Sequence, residues 1–215
     1  EHEYDPLYYE YNRVDAVAME HLTSSPFVMD IYAACGNNAI TEYATQSLRS
    51  YLTHLHPVSK LILARDIVRG MVHIHYSSGD NNVTLVHNDI NAANIMMKGS
   101  TPKFNDFNLG IFMMWNKVRH RPCRFRCDMD NAQWRSPEEM KQVNGENSKQ
   151  PLTEKTDIYA LGSVFYKIIT NHDPWLEYYN STTKILDERR VEDAKRRGET
   201  PLLPQSLLKK KKKGM

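Results

Sequence analysis

The stretch Leu85-Val86-His87-Asn88-Asp89-Ile90-Asn91-Ala92-Ala93-Asn94 decides how this chain is read. Apolar residues lead into a His, an Asp two positions on and an Asn five positions after that, and Ile95-Met96-Met97 follows. Further along, a second strand-like run, Lys103-Phe104-Asn105, ends in another carboxylate at Asp106. Two carboxylates and a carboxamide at the ends of apolar strands suit a magnesium–nucleotide site. One carboxylate orients a hydroxyl, while the other and the amide oxygen hold the metal on the phosphates.

Working outward, the 215 residues are enough for one domain with a real core or two small ones, and the 40% hydrophobic and 25% charged content fits a globular protein. The net charge of +2 gives no strong pull towards nucleic acid. Five positive charges sit in the run Lys209–Lys213, so the body is slightly acidic and the end is a basic tail. Three cysteines without framework spacing predict a reducing setting, cytoplasmic or nuclear, rather than a disulfide scaffold. No apolar run approaches the ~18–20 residues of a membrane span.

Residues 1–13 are acidic and Tyr-rich and read as an N-terminal extension. The spacing Val14, Val17, Ala18, Leu22 predicts a helix closing at Thr23-Ser24-Ser25-Pro26. Phe27–Tyr32 and Ala39–Tyr43 read as strands around the turn Gly36-Asn37-Asn38, and Gln46–Leu52 as a short helix. Val58–Tyr76 is a long amphipathic helix with Leu61, Ala64, Ile67, Val68, Met71, Ile74 and His75 on one face. Two short strands flank Asp89, and residues 111–133 are irregular and basic. Asp157–Thr170 is apolar on several sides and is expected to be a buried helix; residues 184–197 form a charged one.

His87-x-Asp89-x-x-x-x-Asn94 resembles the catalytic loop of eukaryotic-type protein kinases, and Asp106-Phe107-Asn108 resembles their Asp-Phe-Gly with the Gly replaced. Trp134-Arg135-Ser136-Pro137-Glu138 resembles the Ala-Pro-Glu mark that ends an activation segment. Asp157-Ile158-Tyr159-Ala160-Leu161-Gly162 resembles the buried helix whose Asp anchors the catalytic loop, and Ile40-Thr41-Glu42-Tyr43-Ala44 resembles the adenine-binding hinge. Five landmarks in order make the resemblance specific, from about Val14 to about Leu203. It implies an α+β, protein-kinase-like fold: residues 14–44 a partial small lobe and hinge, 45–203 a mostly helical large lobe, 204–215 the tail.

The resemblance also implies ATP and Mg2+ as cofactors and a protein as substrate. Asp89 would accept the hydrogen of the substrate hydroxyl, with Asn91 beside it as a neutral donor. Asn94 and Asp106 would hold the metal, Thr41 would stand as gatekeeper, and the backbones of Glu42 and Ala44 would meet adenine. His87 would pack, Asp157 and Glu138 would be structural, and Asp15 would be the acidic partner of a strand lysine.

The departures are as specific. Asn88 stands where many kinases carry Arg, Asn91 where serine/threonine kinases carry Lys, and Ala93 where tyrosine kinases carry Arg. No Gly-x-Gly-x-x-Gly and no Val-Ala-x-Lys occurs, which reads as a chain truncated at both ends. Two further functions compete with phosphoryl transfer to protein: a pseudokinase scaffold, and a small-molecule kinase of the choline or aminoglycoside kind, against which Ser136-Pro137-Glu138 and Asp157–Gly162 speak. Cys123, Cys127 and His120 lack a fourth metal ligand and read as ordinary loop residues.

Overall fold

Helix α1 (Pro6–His21) opens the fold, and its start is encoded locally. The Asp5 side chain accepts the Leu7 amide at 2.8 Å, and Pro6 supplies a ready helical φ at the first position. The helix therefore begins at Pro6 rather than Val14, and the expected boundary after residue 13 falls inside it. Its first turns are Tyr-rich and exposed, so no apolar period marked them. The structure, a computed structural model, describes residues 5–53, 55–79, 82–123, 125, 131–143, 152–183, 185–205 and 207. Cys127 and the Lys209–Lys213 run lie outside these residues.

Strands β1 (Ile31–Cys35) and β2 (Asn38–Thr41) form an antiparallel hairpin turned by Gly36, whose φ of +59° suits glycine. The strand expected over Phe27–Tyr32 divides in two. Its first half leaves the hairpin and pairs with Phe104, through Phe104 N to Phe27 O at 2.7 Å and Met29 N to Phe104 O at 2.9 Å.

Gln46–Ser47 is strand β3, and helix α2 (Leu48–Tyr51) follows, so the expected short helix begins two residues late. Helix α3 (Pro57–His75) runs as the spacing predicted, but its buried face is Leu63, Ile67, Gly70, Met71, Ile74 and His75. Leu61 and Val68, expected inside, are exposed, because α3 carries apolar residues on two faces and only one meets the core. Strands β4 (Leu85–Val86), β5 (Ile95–Lys98) and β6 (Thr101–Phe104) follow, and a sheet forms in the order β3-β5-β6. The β5–β6 register, Ile95 opposite Phe104, sets the two strand ends that bear Asn94 and Asp106 side by side.

The expected irregular region contains three short strands: β7 (Ile111–Phe112), paired with β4, and the hairpin of β8 (Trp115–Asn116) and β9 (Arg121–Pro122). Helix α4 (Pro137–Val143) precedes α5 (Lys155–Thr170), whose buried side packs on α3. Asn171 caps α5 in the left-handed region, which Asn tolerates. Helix α6 (Glu188–Arg196) follows, packed on α4.

One large apolar core joins α1, α3, β4–β6 and α5 through Met19, Ile67, Ile74, Leu85, Phe104 and Val164. A smaller one sits under α4 and α6, around Met140, Trp175 and Val191. Each fully buried Leu, Ile or Phe contributes about 1.5–3 kcal/mol. The first core therefore dominates, and the polar loop after β4 rests directly on it.

Candidate active site

The loop after β4 is held by one carboxylate from a distant helix. Asp157, on the first turn of α5 and 1% exposed, accepts the backbone amides of His87 at 2.8 Å and Asn88 at 2.9 Å. It also meets His75 Nε2 of α3 at 2.9 Å. Asn88 needs this support because its φ is +62°, a region Asn tolerates better than most residues. Its side chain donates to Leu109 O at 3.0 Å, tying the loop to the segment after Asp106.

The carboxamides of the loop converge on Asp89. Asn94 Nδ2 donates to Asp89 Oδ2 at 2.7 Å and Asn91 Nδ2 at 3.2 Å, while Asn91 Oδ1 accepts the Ala93 amide at 2.8 Å. Asn91 is thus committed inside the loop. It positions Asp89 rather than offering its amide to a ligand, a revision of its expected role as a direct donor. Asp89 Oδ1 is left to the other side, where the Arg135 guanidinium lies 3.9 Å away.

His87 is fully buried against Phe107, ring centroids 4.5 Å apart. With its proton on Nε2 it donates to Asn105 O at 3.2 Å and accepts the Asp89 amide on Nδ1 at 3.3 Å. It is a buried strut between Asp89 and the strand leading to Asp106. Asn105 N in turn donates to Asn94 O at 2.9 Å, so Asn94 and Asp106 sit at neighbouring chain positions across the β5–β6 ends.

Asp106 takes the left-handed conformation, φ +65°, and Asn108, in the place of the Gly, does not. Asn108 Oδ1 is buried without a hydrogen-bond partner in the structure. Burial pushes the Asp106 carboxyl above the usual range; His87 opposes the rise, Asp89 adds to it and the Asn108 amide opposes it. Asp15 of α1 is nearby, accepting the Phe107 amide at 2.6 Å. Its carboxyl is also raised, first by burial, with the Phe107 amide opposing and Asp106 adding. A divalent cation would offset the cost of keeping these buried carboxylates ionised. Asn94 and Asp106 supply the hard oxygens such a cation prefers. Among the described residues Asp15 makes no ion pair.

The comparisons with known proteins agree with this geometry. A family model, the protein kinase domain, matches residues 15–210. The chain belongs to the protein kinase family. Among its relatives, the probable serine/threonine-protein kinases roco6 and roco7 of Dictyostelium discoideum are 28% and 31% identical, over 68% and 67% of this chain. The serine/threonine/tyrosine-protein kinase HT1 of Arabidopsis thaliana is 30% identical over 67% of it. The chain spans only 6%, 5% and 35% of the lengths of these three.

Within this kinase domain the hinge residues divide their work. Thr41 ends β2 and is exposed, and Ala44 is half-buried. The Glu42 side chain turns away into a buried cluster: Lys103 and Lys98 donate to its carboxylate, and so does the Asp30 amide at 3.0 Å. Burial pushes the Glu42 carboxyl up, but those donors outweigh it and hold it below the usual range. The Glu42 amide donates to Asp30 O at 2.9 Å, which leaves the Glu42 carbonyl to face a ligand.

Sequence reading missed this cluster, and it missed Arg135 and Lys195. It also chose Glu138 as the structural acid. Glu138 is exposed, and the buried carboxylate is Glu139, which accepts the Ser136 amide at 2.7 Å and pairs with Arg135 at 3.0 Å. The signal was present: Ser136-Pro137-Glu138-Glu139 is a capping box with Pro at the first helical position. Cys35 and Cys123 are free thiols, and the described residues hold no cluster of metal-binding side chains around His120 and Cys123.

Proposed function

We propose that this chain carries the ATP- and Mg2+-dependent phosphoryl-transfer site of a protein kinase acting on protein Ser, Thr or Tyr hydroxyls. The observation that carries the reading is the fixing of Asp89. One of its oxygens is held by Asn91 and Asn94, so the carboxylate is oriented before any substrate arrives, as positional catalysis requires. Asp89 would accept the hydrogen of the attacking hydroxyl. Asn94 Oδ1 and the Asp106 carboxylate would hold the metal. When bound, that ion would offset charge on the phosphates. The Glu42 carbonyl and the Ala44 backbone would meet the adenine edge, with Thr41 in the gatekeeper place.

A pseudokinase reading is favoured by a different observation: Asp15 makes no ion pair among the described residues, and residues 87–94 contain no Lys or Arg. Transfer of the ATP γ-phosphate to a mixed protein substrate decides between them, assayed on the native-length protein with Mg2+. Transfer abolished by Asp89→Ala and by Asp106→Asn supports catalysis. Nucleotide binding without turnover supports the scaffold, and transfer to choline or an amino sugar alone would displace both. The 215-residue chain by itself is expected to bind magnesium-ATP weakly, since its sequence contains no Gly-x-Gly-x-x-Gly and no Val-Ala-x-Lys.

A further inference from the structure

The catalytic loop contains no cation of its own between residues 87 and 94, yet one lies directly against it. Arg135, just before α4, is 4% exposed. Its Nη1 donates to the Asn88 carbonyl and to Glu139 Oε1, the latter at 3.0 Å. Its Nη2 lies 3.9 Å from Asp89 Oδ1. Both Nε and Nη2 are buried and have no hydrogen-bond partner. Arg135 lines a small pocket together with Asn88, Asp89, Trp134 and Asp157.

A guanidinium buried this deeply needs its charge answered, and Glu139 answers it on one nitrogen only. Of the other nitrogens, Nη2 faces the oxygen of Asp89 that the two carboxamides leave alone. At this separation and burial a charge pair interacts far more strongly than at the surface. Arg135 is itself fixed from below, because Lys195 Nζ of α6 donates to its carbonyl and to that of Ala132.

We propose that Arg135 is the positioning cation of this catalytic loop, steering Asp89 from the end of the activation segment in place of a cation within the loop. The arrangement makes the order of residues 132–136 a condition for the aim of Asp89, so one segment governs both. This rests on the phosphoryl-transfer reading for its catalytic consequence, but the Arg135–Asp89 coupling is testable without activity.

The test is a double-mutant cycle of Arg135→Gln with Asp89→Asn, read as the urea midpoint of the native-length protein, alongside steady-state kinetics. Arg135→Gln is expected to cost less stability in the Asp89→Asn background than in the wild type. Its kcat is expected to fall about 10- to 100-fold, with KM for ATP changed less than about twofold, and Arg135→Lys to recover part of that loss. Additive stabilities, or an unchanged kcat in an active enzyme, overturn the proposal while leaving the kinase reading intact. Coupling in a protein that transfers no phosphate sustains the proposal and removes the kinase reading instead. Should Arg135→Gln not fold, the Arg135 guanidinium nitrogen resonances in wild-type and Asp89→Asn protein decide: a shift supports the contact and its absence overturns it.

Discussion

Lys103 and Glu42 meet in a buried ion pair behind the hinge, and both are less than a tenth exposed. Lys103 also donates to Val28 O at 2.9 Å, so one ammonium fastens the hinge to the segment that pairs with β6. Replacing Glu42 with Leu leaves Lys103 charged and buried and is expected to cost about 3–5 kcal/mol. The check is urea unfolding across pH. The depressed Glu42 carboxyl contributes its stability above the ordinary carboxylate range and loses it as pH falls through the lowered value. The gap between wild type and Glu42→Leu should therefore narrow in acid.

Asp157 satisfies two loop amides and His75 at once. Asp157→Ala leaves those buried donors unpaired, at about 1–3 kcal/mol each. Unfolding midpoints should drop accordingly, and phosphate transfer should fail before the fold does.

Gly70 faces Phe104 across the core. A Cβ at Gly70 would lie 2.7 Å from the Phe104 ring and 2.9 Å from Phe27 Cβ. Gly70→Ala would ordinarily favour a helix, but here overpacking should win, with a net loss of about 1–3 kcal/mol. A thermal melt showing a stabilised variant would contradict the packing of α3 on β6.

Lys195 is buried between Ala132, Arg135 and the rings of Tyr159 and Trp175. Burial brings its pKa down to about 7, against the opposing pull of Glu139, Glu188 and Glu192. The folded protein thus binds fewer protons than the unfolded chain between about pH 7 and the ordinary lysine range. This group's contribution should grow as pH rises through that window. Urea midpoints of wild type minus Lys195→Met, measured from pH 7 to 10, should show that rise.

Asp15 has the opposite sign. Its carboxyl is raised by burial, so its ionised form costs stability at neutral pH. Asp15→Asn keeps an acceptor for the Phe107 amide and removes the charge. It should melt higher than wild type at pH 7, with the advantage fading as pH falls through the raised value into the ordinary carboxylate range.

The residues the sequence made legible were those whose chemistry is local. His87, Asp89, Asn94 and Asp106 sit on short loops at strand ends, and their spacing alone brings them together. α3 and α5 were visible because apolar periodicity runs through both. What escaped depends on contacts between remote positions. Glu42 and Lys103 are 61 residues apart, and nothing in either neighbourhood foretells the pair. Asn88 looked like a loss of Arg, whereas its tolerated φ and its bond to Leu109 give it a positive role. The start of α1 was hidden by exposed tyrosines, although Asp5-Pro6 is a cap that could have been read.

The reach of Asp157 back to His87 spans 70 residues of chain. During synthesis at about 5–20 residues per second, the Asp89 loop would emerge roughly 4–14 s before the carboxylate that fixes it. For that interval the loop has its own carboxamides but no anchor. Closing it is a long-range event, so the anchored loop is expected among the last pieces of this domain to be made native.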